Sequence, residues 1–147
     1  MAMLYKVTGK EGKSEEMYKT LVEIKRIYYG ESSESLMVTL KNLGGVQIMM
    51  GKYEEAIATL EESIKVIHRI IDGNKAKDQS AFRTHATEVV ILIMTVQERQ
   101  PGAPMNFQKI QNYEDTLVKI HGSDKTMYLA QFLSLKARKM QMTEGIN

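Results

Sequence analysis

The groups along this chain that are able to do chemistry are few and widely separated. Gly9-Lys-Glu-Gly12-Lys13-Ser14 ends like a phosphate-cradling loop and follows the apolar Met3-Leu4-Tyr5, but its glycines stand two residues too close for that motif. It reads instead as a basic lead into a helix, with Ser14 or a neighbour as the cap. His68, His85 and His121 are far apart, and only His85-Ala-Thr-Glu88 sets two ligand types about one helical turn from each other. Zinc asks for at least three protein ligands in a defined geometry, so no metal site is expected and His85 is assigned to packing within a hairpin. His68 and His121 fall at matching places near the ends of helices, where a partial positive charge suits the helix dipole. No Ser-His-Asp grouping, no acid-base carboxylate pair on an apolar floor and no glycine-rich turn after a strand can be assembled. The acidic pairs Glu15-Glu16, Glu54-Glu55 and Glu61-Glu62 read as solvated helix faces. The expectation is a non-enzyme with no catalytic residue, metal or cofactor.

Whatever surface this chain presents must therefore be positioned by helices. Apolar residues at three- and four-residue spacing mark six segments, 14–29, 35–50, 53–71, 78–99, 105–121 and 124–142. The clearest stripe is Ile57, Leu60, Ile64, Ile67 and Ile71, with Glu54, Glu55, Glu61, Glu62 and Lys65 off it. Val89 to Val96 is β-branched enough to suggest a strand, yet no second strand lies near to pair with it, so it is read as helix. Gly51-Lys52 makes a tight turn, Ser35 is the expected cap of the second helix, and Pro104 suits the first turn of the fifth. At 147 residues, with 43% hydrophobic and 26% charged, the chain has the size and composition of one globular domain. A formal charge of +2 is too small to imply nucleic acid or an anionic membrane. The absence of cysteine removes disulfides and thiolate metal sites and agrees with a reducing, cytoplasmic setting. No apolar run approaches the roughly 20 residues that span a bilayer, so membrane insertion is not expected. Eleven methionines suit an irregular core.

Internal repetition organises these segments. Within 40–60, Leu40, Leu43, Gly44, Gln47, Ala56 and Leu60 place large and small residues so that two antiparallel helices can approach closely where Gly44 and Ala56 leave room. Shifted by 42, Tyr18, Leu21-Val22 and Tyr29-Gly30 recur as Leu60, Ser63-Ile64 and Ile71-Asp72-Gly73, while Leu40, Gly44 and Gln47 become Phe82, Ala86 and Val89. Shifted by 53, Ile57, Leu60, Ile64 and Ile67 recur as Ile110, Tyr113, Leu117 and Ile120, so the second hairpin is 11 residues longer. This pattern resembles the tetratricopeptide repeat, whose usual unit is about 34 residues. The longer unit and the loop Tyr28-Tyr-Gly-Glu-Ser-Ser-Glu-Ser35 are similar to the repeats of kinesin light chains over roughly 14–86.

The resemblance implies an all-α fold, an antiparallel helix-hairpin array forming a right-handed solenoid of about six helices. Residues 1–13 would be a flexible lead and 14–147 the array, with complete hairpins at about 35–71 and 78–121 and half repeats at both ends. The first half repeat is a second helix whose mate is missing, and the last segment caps the stack; the chain would suit a fragment of a longer repeat protein. In such families the first helix of each hairpin lines a concave groove that holds a peptide segment or a partner helix. On this chain the groove positions are Lys41, Asn42, Gly45 and Ile48 in one hairpin and Arg83, Thr84, Thr87 and Val90 in the next. Asn42 matches an Asn of the kinesin light chain repeats, and its amide can both donate to and accept from a ligand backbone. Lys41 stands where those repeats often carry another Asn, and together with Arg83 it would favour an acidic segment. The implied function is a non-catalytic protein–protein scaffold or adaptor, cytoplasmic and associated with a cytoskeletal or motor assembly. The competing reading is a purely structural subunit that contacts its neighbours through the terminal helices.

Overall fold

Five α-helices are laid down by these patterns in the computed structural model, which describes residues 11–73, 79–99 and 107–121. They are α1 (Glu11–Tyr29), α2 (Glu34–Met49), α3 (Tyr53–Gly73), α4 (Gln79–Arg99) and α5 (Phe107–His121). No strand occurs among the described residues. The expected sixth helix at 124–142, the lead residues 1–10 and the turn holding Pro104 lie outside them.

Local chemistry sets the helix ends. Ser33, two residues before the expected cap Ser35, is the N-cap of α2: its Oγ accepts the Leu36 amide at 3.0 Å. Ser35 is already helical, and its carbonyl accepts the Thr39 hydroxyl at 2.8 Å. The turn from α2 to α3 falls where Gly51-Lys52 predicts it. Gly51 adopts φ +76, a left-handed conformation that glycine enters without a Cβ penalty, and Lys52 donates its amide to the Gln47 carbonyl at 2.9 Å. The start of α1 departs from expectation, because Gly12, Lys13 and Ser14 form its opening turn and Ser14 is buried. Those three residues therefore offer neither a phosphate loop nor the anticipated cap.

The helices form two layers. Consecutive helices pack pairwise from α1 to α5; α2 also meets α4, and α3 also meets α5, so the first helices of the hairpins share one layer and the second helices the other. Leu36, Met37, Leu40, Leu60, Ile67, Ile70, Ile93 and Met94 are fully buried, each stabilising the fold by roughly 1.5–3 kcal/mol relative to exposure. The 42-residue shift holds in the packing, since Phe82, Ala86 and Val89 are buried like Leu40, Gly44 and Gln47. Val89 to Val96 lies within α4, and Tyr113, Leu117 and Ile120 form the buried face of α5. At the α2–α3 crossing, a Cβ added to Gly44 would stand 2.8 Å from both Cγ and Cδ2 of Leu60. The small residue is what lets Leu60 seat.

One acidic pair is not a solvated face. Glu15 is buried, unlike exposed Glu16, because helical rotation turns it toward α2. Its carboxylate accepts from Lys52 Nζ at 2.9 Å and from Gln47 Nε2 at 3.3 Å, and Gln47 Oε1 accepts the Thr59 hydroxyl at 2.7 Å. Burial pushes the Glu15 carboxyl up, but the bonds from Lys52 and Gln47, aided by the charges of Lys19 and Lys52, outweigh it and hold the group below its ordinary value. Gln47 is thus the centre of a polar clasp joining α1, α2 and α3.

Candidate partner-binding face

The α2 and α4 layer carries the residues expected to line a groove. Lys41, on α2, reaches across to α4. Its ammonium pairs with the Glu88 carboxylate and lies 3.0 Å from His85 Nδ1. A lysine donates only, so it holds that ring nitrogen in its acceptor form. His85 is accordingly a bridge between two first helices and does not pack inside its own hairpin, and Lys41 is committed to a carboxylate of its own chain. The Glu88 that neutralises it is 47 residues away, which is why Lys41 reads as an unengaged cation in sequence.

The other expected positions divide. Asn42, half-buried on α2, makes no hydrogen bond among the described residues. Gly45 is open, since a Cβ added there meets nothing within 4 Å, and Ile48 is partly buried against the core. On α4, Arg83 is half-buried and its Nε is enclosed without a hydrogen-bond partner among the described residues. Thr84 spends its hydroxyl on the Ser80 carbonyl at 3.0 Å. Thr87 and Val90 are fully buried, with the Thr87 hydroxyl 2.6 Å from Nε2 of His121 on α5. Those two side chains face the interior, away from any ligand on the α2–α4 surface.

On the opposite layer a cleft of about 580 Å³ lies between α3 and α5, bordered by Glu61, Lys65, His68, Asn112, Asp115 and Lys119. Thr116 donates its hydroxyl to the Asn112 carbonyl at 2.9 Å, so it accepts from His68 Nε2, 3.2 Å away, while Lys119 Nζ stands 3.4 Å from His68 Nδ1. Burial, with the nearby Lys119 charge, lowers the His68 pKa even though Asp72 acts the other way. The expected positive charge on His68 is therefore disfavoured; like His121, it sets its Nε2 against a threonine hydroxyl of a neighbouring helix. Among the described residues no group of three or more His, Asp or Glu is arranged to hold a metal ion, and no described helix is long and apolar enough to cross a membrane.

The helices thus form the pairs α2–α3, with Gly44 at its crossing, and α4–α5, with α2 and α4 side by side in one layer. No curated protein matches the chain, and neither does any solved structure. A family model described as tetratricopeptide repeat matches residues 1–67 and supports a tetratricopeptide-repeat protein.

Proposed function

We propose that this protein is a non-catalytic protein–protein interaction module that holds an extended, acidic peptide segment on the α2–α4 face. Tetratricopeptide repeats generally bind proteins, and the match over residues 1–67 supports that class. The observation that carries the reading to this face is Arg83, whose enclosed Nε has no hydrogen-bond partner among the described residues. The Nε itself is closed off, so a ligand carboxylate or carbonyl would be met by the rest of the half-buried guanidinium, which forms no ion pair among the described residues. Asn42 supplies an amide for the ligand backbone, and open Gly45 lets that backbone approach α2. Lys41 contributes through the Lys41–Glu88 pair that ties α2 to α4, and not as an anion-binding charge.

The test is selection from a random peptide library displayed on phage, against the wild type and against an Asn42→Ala, Arg83→Glu variant. Acidic peptides should be enriched by the wild type and not by the variant, with helical circular dichroism equal for both. Enrichment that is equal for both proteins, or that favours no acidic residue, would refute this reading.

A further inference from the structure

The helix α1 turns a large apolar stripe to solvent. Met17, Ile24 and Tyr28 are 50%, 41% and 77% exposed, with Ile27 beside them at 78%. Scattered exposed apolar residues are ordinary, but a stripe running at four-, three- and four-residue spacing through half-buried Leu21 is a helix-packing face.

The internal repeat says what such a face meets. Under the 42-residue shift, Met17, Leu21, Ile24 and Tyr28 of α1 correspond to Thr59, Ser63, Val66 and Ile70 of α3. All four α3 residues are buried. Two of them bond directly to α2: Thr59 to Gln47, and Ser63 to the Met37 carbonyl at 3.1 Å. The covered face of α3 is thus the one that α2, a 16-residue helix, closes. Its counterpart on α1 has no helix on it among the described residues, for the backbone of α1 lies close only to that of α2, and α1 reaches α3 only through the Arg26–Glu62 ion pair.

We infer that the outer face of α1 is a docking site for an amphipathic helix built to the pattern of α2. The repeat fixes the chemistry of that helix. Leu60 seats only because Gly44 opposes it, and Tyr18, the counterpart of Leu60, is larger, so the incoming helix carries glycine or alanine opposite Tyr18. Three residues later, where α2 has Gln47 against Thr59, the incoming helix faces Met17 and carries a large apolar residue; four residues before the small one, matching Leu40, it carries another. A second copy of α1 does not meet this description, because its own stripe of Met17, Leu21, Ile24 and Tyr28 offers no small residue for Tyr18.

The probe is a fluorescent synthetic peptide of residues 33–52 bearing Gln47→Leu, titrated into the full chain and followed by anisotropy. It should bind saturably. The same peptide with Gly44→Leu should bind roughly tenfold more weakly or worse, as expected for forcing a large side chain into a packed contact. An Ile24→Glu, Tyr28→Glu protein should not bind it, and because both residues are exposed its circular dichroism should match the wild type. The Asn42→Ala, Arg83→Glu protein should bind it unchanged, which separates this site from the α2–α4 face. Absence of binding at millimolar peptide, equal binding of the Gly44→Leu peptide, or equal binding to the Glu variant would each overturn the inference. Sedimentation supplies a second measurement: a wild-type dimer that excludes the peptide and becomes monomeric in the Glu variant would assign the face to a second copy and overturn it too.

Discussion

Gly44 and Gly45 are adjacent in the interior of α2 and see opposite surroundings, which makes the pair a differential test of the hairpin crossing. A Cβ at Gly45 meets nothing within 4 Å, so Gly45→Ala removes backbone freedom from the unfolded chain and should stabilise by about 0.5–1 kcal/mol. Gly44→Ala gains the same amount and then collides with Leu60, whose Cγ and Cδ2 both lie 2.8 Å from the new carbon. Leu60 is fully buried, so it cannot swing clear without moving its neighbours. Overpacking of this kind costs about 1–3 kcal/mol. Gly44→Ala should therefore come out between neutral and about 2.5 kcal/mol destabilised, and it should fall about 1–3 kcal/mol below Gly45→Ala, where the propensity gain cancels in the comparison. Urea unfolding followed by circular dichroism measures both, provided the slopes agree. Equal stabilisation of the two variants would refute the close approach of Gly44 to Leu60, and with it the account of how α2 and α3 pack.

Three further outcomes follow from the polar contacts. The Glu15 carboxyl lies below its ordinary value in the fold, so its stabilisation is complete above the unfolded value of about 4.3 and is lost as pH falls through the folded one; Glu15→Gln should lessen the fall of the melting temperature on acidification below about pH 4.3. His68 is also lowered, by burial and by Lys119; the unfolded chain takes up the proton first, so stability declines as pH drops below about 6.5, and His68→Gln should remove that slope in melting curves. Gln47→Leu leaves the buried Glu15 carboxylate with Lys52 as its remaining hydrogen-bond donor, while Thr59 keeps the Glu55 carbonyl, and should cost roughly 1–3 kcal/mol in urea unfolding, although Leu is the more apolar residue.

Local periodicity carried much of the architecture into the sequence, because the burial of Phe82, Ala86 and Val89 depends on the same three- and four-residue spacing that buries Leu40, Gly44 and Gln47. Polar partners were legible only where they lay close in the chain. Gln47 is tied to Glu15 across 32 residues, and Lys41 to Glu88 across 47. Two adjacent glutamates look alike in a string, whereas 100° of helical rotation buries Glu15 and leaves Glu16 in solvent. Thr87 and Val90 were read as surface by analogy with α2; His121 on α5 stands over Thr87, and the 42-residue shift does not carry that contact back to Gly45. Position on a helix was readable, and occupancy by a distant helix was not.

The ion pairs between alternate helices give the array an uneven stiffness. Arg26–Glu62 joins α1 to α3, Lys41–Glu88 joins α2 to α4, and Lys119–Asp72 joins α3 to α5. Each has a carboxylate that is substantially exposed, so each is open to screening, whereas the Gly44–Leu60 contact within a hairpin is not. The seams between hairpins thus combine a continuous apolar core with a salt-sensitive charged rim. Raising ionic strength should therefore weaken the charged rim while the shared apolar core holds the hairpins together, so the surface charge pattern offered to a partner is more sensitive to the solvent than the packing beneath it.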